Sequence, residues 1–445
     1  MATSSDSSSL LSYGSNVTKG VGRITEGIMT SGKGSYVEYD DGRKMLDFTC
    51  GIGVTSMGHC HPKISKAAAD QCMNVVHCSI AFHEPYLRLI QKLLPIMPDP
   101  SLDSFFFWNS GSEAIEAALK MARIATGRQN IICMQGAYHG RTFGAMAVTR
   151  SKTIYSKGVA PLMPGVFTIP FPFWHQLGGK PDMPDDAQVA QCLYQLDLLL
   201  AQQTAPADTA AIIIEPVLGE GGYVPAPRAF LEGLRAVCDK HGILLIVDEV
   251  QSGFSRTGKF FAIEYSGVRP DIMVVAKGLA NGFPLSGVIS RKEITDKLTP
   301  GSMGGTYAGN AVSCAAACAV VDAMHEENVL TNVNTRSEEL FSALNALKSA
   351  HPQHILDVRG RGLMVAVEFA TPGGPGAARD AVAAPVAATM ASRVAKKCIA
   401  RGMLILTTSV YEVVRFIPPL NISAADLAKG AAIFREAVEE VIREG

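Results

Sequence analysis

No stretch of this 445-residue chain stays apolar for anything near the ~20 residues that a bilayer-spanning helix needs. Charge of one sign is also missing. Forty Lys and Arg against 41 Asp and Glu leave a net charge of −1, which gives no electrostatic case for nucleic acid or an anionic membrane. The 10 cysteines are scattered singly and build no dense framework, as in a protein with reduced thiols in a cytosol-like compartment. An arginine-rich transit pattern is absent too, since only Lys19 and Arg23 are basic before residue 25. The opening "MATSSDSSSLLSYGSNVTKG" therefore reads as a disordered tail, and the expected location is cytoplasmic, with a mitochondrial one as the alternative. Cys314 and Cys318, one helical turn apart, are too few for zinc and suit core packing. "GHCHP" (58–62) suits a turn before a helix. The glycosylation patterns at Asn16 and Asn421 carry little weight without an apolar signal segment. No repeat is apparent.

What is present is apolar bulk with a rhythm. Hydrophobic residues make up 47% of the chain, enough for two or three cores at this length. "SEAIEAALKMARIA" (112–125) has apolar residues at 114, 115, 118, 119 and 122, one face of a helix. "NIICMQ" (130–135), "AIIIEP" (211–216), "GILLIVDE" (242–249) and "DIMVVAK" (271–277) read as strands, and "RAFLEGLRAVCDKH" (228–241) as a helix between two of them. That alternation implies an α/β domain with a mainly parallel sheet, over 61–324. Residues 161–186, rich in Pro, Gly and aromatics, are expected to form a long ordered loop, and 371–386 another. Beyond about 325, a helix, the strands "LMVAVEF" and "VVRFIPPL" and a closing helix at 424–443 suggest a smaller α+β domain, 325–445.

Three strand ends carry polar residues: Glu215, Asp248 and Lys277. A parallel sheet presents such ends to its binding crevice, and three together suggest a site. Lysine is an odd choice after a buried run, because its ammonium is rarely buried. Asp248 follows five apolar residues and needs a permanent partner, either a protonated heteroaromatic nitrogen or a buried Arg or Lys. Ser110 and Glu113 in "NSGSEA" fit a capping box. Gly111 and Ser112 beside them also leave N–H groups free for a phosphate. An imine-forming amine, a carboxylate for a ring nitrogen and a phosphate-binding helix start together specify pyridoxal phosphate.

The chain resembles the class III aminotransferases, the omega group of fold type I, and among them the 4-aminobutyrate aminotransferases. The motifs are "NSGSEA", "GAYHGRT", "EPVLGEGG", "VDEVQSGFSRTG", "AKGLANGFPLSG", "GGTYAGN" and "RGRGLM", in family order across roughly residues 20–440. The resemblance implies that residues 1–60 join the small domain. It makes Lys277 the Schiff-base lysine and pairs Asp248 with the pyridinium nitrogen. Gln251 would face the ring hydroxyl, with Val250 and Tyr138 on the two ring faces. Ser110, Gly111 and Ser112 would hold the phosphate, and Thr306 would reach the phosphate of a neighbouring subunit in a homodimer or tetramer. His139 would be mainly structural.

On the substrate side the resemblance assigns Arg415 to the α-carboxylate of glutamate or 2-oxoglutarate and Arg141 to the distal one. Glu220 would pair with Arg415 when the donor has no α-carboxylate, and Glu215 would support the Arg141 side. Ile52 matches an apolar position that speaks against ornithine. The implied reaction is ping-pong transfer from an omega-amino acid, best 4-aminobutyrate, to a 2-oxo acid, best 2-oxoglutarate. 5-Aminovalerate, β-alanine or an arylalkylamine as donor, and pyruvate as acceptor, stay open. A decarboxylase or aminomutase on the same scaffold is the rival chemistry, and a non-enzymatic scaffold the rival class. A nicotinamide enzyme is disfavoured, because no G-x-G-x-x-G follows an early strand.

Overall fold

The structure, a computed structural model, describes residues 10–371 and 389–445. Seven strands form its largest sheet, in the order Ser104–Trp108, Ser286–Ser290, Ile272–Val275, Leu244–Asp248, Thr209–Ile214, Asn130–Met134 and Val166–Ile169. Neighbours pair in parallel from Ile272–Val275 to Val166–Ile169, while Ser286–Ser290 runs antiparallel to both its neighbours.

The strands are apolar on both sides because both sides are covered. Ile132, Ile212, Leu245 and Val275 face one core. Ile131, Ile213, Ile246 and Val274 face the other, where they meet the helix Gly111–Thr126. That helix buries Ala114, Ile115, Ala118, Leu119 and Ala122, the face read from the sequence. Gly127 ends it at φ 69°, a left-handed turn that costs glycine little. The helix between strands is Arg228–His241.

The stretch 161–186 is loop over 161–165 and 170–184, as expected, but not throughout. Val166–Ile169 is the edge strand of the sheet, in register with Ile131–Met134, and Asp185 opens the helix Asp185–Gln202. Four residues between Pro- and Gly-rich turns are too few to show a period, so pairing with a distant neighbour decides their state. The loop expected at 371–386 lies outside the described residues from 372 onward, as do residues 1–9 of the Ser-rich tail. Within that tail, Tyr13–Asn16 forms a 3-10 turn with exposed side chains. Cys314 and Cys318 are buried on the helix Ala311–Glu326, which packs against the helices Pro62–Cys72 and Glu84–Leu93. "GHCHP" leads into Pro62–Cys72 through a proline in the first turn, where no N–H is needed.

After residue 325 come the helix Val329–Ala350, an antiparallel sheet and the helix Ala424–Glu444. The sheet order is Ile355–Arg361, Met364–Phe369, Val413–Phe416, Leu406–Thr408. Near the other end of the chain, Met29–Lys33, Tyr36–Tyr39 and Lys44–Asp47 form a meander, whose last strand pairs in parallel with Met403–Leu404. No described helix is long and apolar enough to cross a membrane.

Candidate active site

Glu215, Asp248 and Lys277 line one cavity of about 290 Å³ at the C-terminal ends of the parallel strands. Ser110, Gly111, Ser112, Tyr138, Val250 and Gln251 line it as well, all of them singled out in the sequence. Lys277 lies two residues past its strand, at φ 46°. A non-glycine residue held there costs ~1–3 kcal/mol and persists only where its surroundings over-determine it. The turn Lys277–Leu279 does so, with the Leu279 N–H donating to the Ala276 carbonyl at 3.0 Å. Removal from water, then the Arg415 guanidinium, brings the Lys277 ammonium down to about 8, against the pull of Asp248, Glu220 and Glu215.

None of those carboxylates bonds to the lysine, because each is engaged elsewhere. Asp248 is 4% exposed; its Oδ1 accepts the Val250 N–H at 2.9 Å and its Oδ2 sits 2.7 Å from His139 Nδ1. The aspartate's protein partner is thus a histidine and neither an arginine nor a lysine. Glu215 accepts from the Tyr138 N–H at 2.8 Å and the Gly219 N–H at 3.0 Å. It meets the Arg141 side only through Tyr138, whose hydroxyl accepts from Arg141 Nε at 3.1 Å. Burial pushes its carboxyl up to about 7.

The helix start is built as the capping box requires. Glu113 accepts the Ser110 N–H at 2.8 Å, and the Glu113 N–H donates to Ser110 Oγ at 3.3 Å. A Cβ on Gly111 would stand 3.1 Å from Val250, and one on Gly140 only 2.3 Å from Ser112 Oγ. At both positions the missing side chain lets the backbone approach closely, Gly111 to Val250 and Gly140 to Ser112.

Beyond the cavity lies a chain of polar contacts. Arg415 is 3% exposed, and its Nη1 lies 2.5 Å from Glu220 Oε1. Burial alone would raise the Glu220 carboxyl, but Arg415 and then Lys152 outweigh it and hold it at about 2. Arg141 is exposed, donates from Nε to the Tyr138 hydroxyl at 3.1 Å, and lies over the Tyr155 ring at 4.7 Å. Ile52 and Thr306 are exposed and line no part of the cavity. Ile52 has φ 68°, an outlier for a β-branched residue, within a loop where Cys50, Gly51 and Gly53 also have positive φ.

Sequence reasoning missed two features. One is the bond between His139 and Asp248; the other is the pair Lys152 and Tyr155 on Glu220. Each joins residues far apart in the chain, and no local pattern announces either.

The cavity suits pyridoxal phosphate. Gln251 Oε1 is buried without a hydrogen-bond partner, matching a ring hydroxyl. Asp248 stands on the cavity wall to meet a ring nitrogen, a helix N-terminus is open to phosphate, and the lysine amine is easily made neutral.

Comparison with known proteins agrees. Residues 18–438 match the model of the aminotransferase class-III family. The chain is 39% identical over 428 residues to a 5-aminovalerate aminotransferase of Pseudomonas putida, covering 96% of each. It is equally identical, over 95% of this chain and 96% of the other, to a 4-aminobutyrate aminotransferase of Escherichia coli. Among solved structures, a PLP-bound amine transaminase from an uncultivated Pseudomonas species superposes with a TM-score of 0.84 at 28% identity, covering 94% of this chain and 95% of that one. Match and fold together make the chain a member of the class III aminotransferases, a transaminase of fold type I whose cofactor is pyridoxal phosphate.

Proposed function

We propose that this aminotransferase takes the amino group of an omega-amino acid, 4-aminobutyrate foremost, and delivers it to 2-oxoglutarate. The observation carrying this reading is the buried Arg415–Glu220 pair at 2.5 Å, within electrostatic reach of Lys277. A guanidinium masked by a neighbouring carboxylate suits a donor with no α-carboxylate. Once unmasked, it can grip an α-carboxylate through two parallel bonds. One pocket then serves both halves of a ping-pong cycle without burying an unpaired charge. The names of the Escherichia coli and Pseudomonas putida relatives support an omega-amino acid, and 5-aminovalerate, one methylene longer, is the second reading.

In this scheme Lys277 holds the cofactor covalently, and its freed amine carries the proton taken from the substrate Cα. Asp248 keeps the ring nitrogen protonated, with His139 fixing the orientation of the carboxylate. Gln251 meets the ring hydroxyl, Val250 and Tyr138 bracket the ring, and Ser110, Gly111 and Ser112 hold the phosphate. The cofactor supplies the electron sink for the pair left at the substrate Cα. Arg415 takes the α-carboxylate and Arg141 the distal one, and Ile52 offers an apolar contact.

Thr306 serves the phosphate site of a second subunit. The exposed apolar residues Met73, Ile80, Phe82 and Tyr307 support the burial of that surface in a dimer. We assign residues 61–324 to the cofactor-binding domain and 325–445 to the small domain, which residues 1–60 join. The strand pairing of Lys44–Asp47 with Met403–Leu404 supports the last point.

A donor panel read against 2-oxoglutarate and pyruvate tests the proposal. Glutamate should form fastest from 4-aminobutyrate with 2-oxoglutarate, and turnover with pyruvate alone would overturn the roles of Arg415 and Glu220. A second measurement concerns the amine. Uptake of pyridoxal phosphate by the cofactor-free protein should accelerate as pH rises and level off above about 8, where Lys277 becomes neutral. An ordinary lysine would keep accelerating toward ~10.4, and that profile would remove the case for a depressed amine.

A further inference from the structure

The switch at Arg415 leaves a question of charge. When an α-carboxylate occupies the guanidinium, Glu220 must let go of it, yet Glu220 is 8% exposed and its carboxylate is strongly acidic. A buried anion that loses its only counter-charge is strongly destabilising. The two oxygens of Glu220 are shared out, however. Oε1 meets Arg415, while Oε2 accepts from Lys152 Nζ at 3.3 Å and from the Tyr155 hydroxyl at 3.2 Å.

We infer that Lys152, with Tyr155, is the reserve counter-ion of Glu220, a positioning residue that acts when Arg415 is taken by an α-carboxylate. This rests on the reading of Arg415 proposed above. Both donors come from one short turn, Thr153–Tyr155, preceded by Lys152. Tyr155 is the fixed partner: its ring lies under the Arg141 guanidinium at 4.7 Å and edge-on to Tyr138 at 5.1 Å. Lys152 is the movable one, its side chain 26% exposed on a flexible stem that can follow the carboxylate. The backbone of Glu220 stays put, because Thr408 Oγ1 donates to its carbonyl at 3.3 Å. Only the side chain has to pivot, from two cations to one. Lys152 therefore tunes preference between dicarboxylate and monocarboxylate substrates without touching either.

The test uses the cofactor-loaded enzyme and follows each half-reaction separately in wild type, Lys152→Met and Lys152→Arg. In Lys152→Met, kcat/KM for glutamate should fall at least about tenfold more than kcat/KM for 4-aminobutyrate, because a buried charge is stranded only in the glutamate half. Lys152→Arg should recover most of the loss. Equal losses with both substrates would overturn the inference, since Lys152 would then be serving the carboxylate they share; so would no loss with either. A wild-type enzyme inert to glutamate would overturn the underlying reading as well.

Calorimetry with glutarate, a dicarboxylate that cannot react, provides a readout apart from turnover. In Lys152→Met, binding should draw in a proton as the released Glu220 neutralises, seen as a heat that changes with the ionisation enthalpy of the buffer. Wild type should show no such uptake, and equal uptake in both proteins would overturn the inference.

Discussion

Lys277→Ala is expected to lose turnover by more than about 10⁴-fold, because the covalent attachment and the proton carrier vanish with one amine. The cofactor-loaded protein should also lose its absorbance band in the violet. The substitution should leave the fold intact, since alanine is smaller and the strand Ile272–Val275 is held on both sides by its neighbours. Comparing far-ultraviolet circular dichroism with wild type checks that. Turnover within about tenfold of wild type would reassign the role of this lysine, because no residual binding effect could supply so much of the rate.

Asp248→Asn has the second-largest expected effect and a different signature. The cofactor should remain bound, because Lys277, the helix start at Gly111 and the faces of Val250 and Tyr138 are untouched. Turnover should nevertheless fall about 10³-fold, since a neutral amide at this buried position cannot keep a ring nitrogen cationic. The bond at 2.7 Å between Asp248 and His139 adds to this loss, because it is what aims the carboxylate. Cofactor content and single-turnover rate, measured on the same preparation, separate the two effects. Near-normal turnover with full cofactor content would count against the pyridinium role, whereas loss of cofactor would make Asp248 an anchor.

Much of this site can be read in the sequence because its parts are local. Glu215, Asp248 and Lys277 each follow a buried apolar run, so their placement at strand ends depends only on neighbours along the chain. The helix at Gly111 announces itself through Ser110 and Glu113, three positions apart. The edge strand Val166–Ile169 does not, being short and framed by turn residues, and its state follows from Ile131–Met134. His139 is similar: beside Tyr138 it reads as a bystander, and only folding sets its ring against Asp248, with Nε2 left without a partner. Ile52 shows the same limit, since a positive φ at isoleucine follows no local preference and is imposed by the loop around it.

By itself the sequence determined which groups are on offer: the strand ends that carry an amine and carboxylates, the capped helix start with its glycine, and the arginines at 141 and 415. These depend on residue type and on periods of two or 3.6, which are short-range. Only the tertiary structure decided how the charges are shared: Asp248 with His139, Glu215 with the backbone of Tyr138 and Gly219, Glu220 between Arg415 and Lys152. Such pairing is set by burial. A carboxylate removed from water must take whichever donor the packed chain brings to it, and that donor is chosen by distance in space, on which the order of residues is silent.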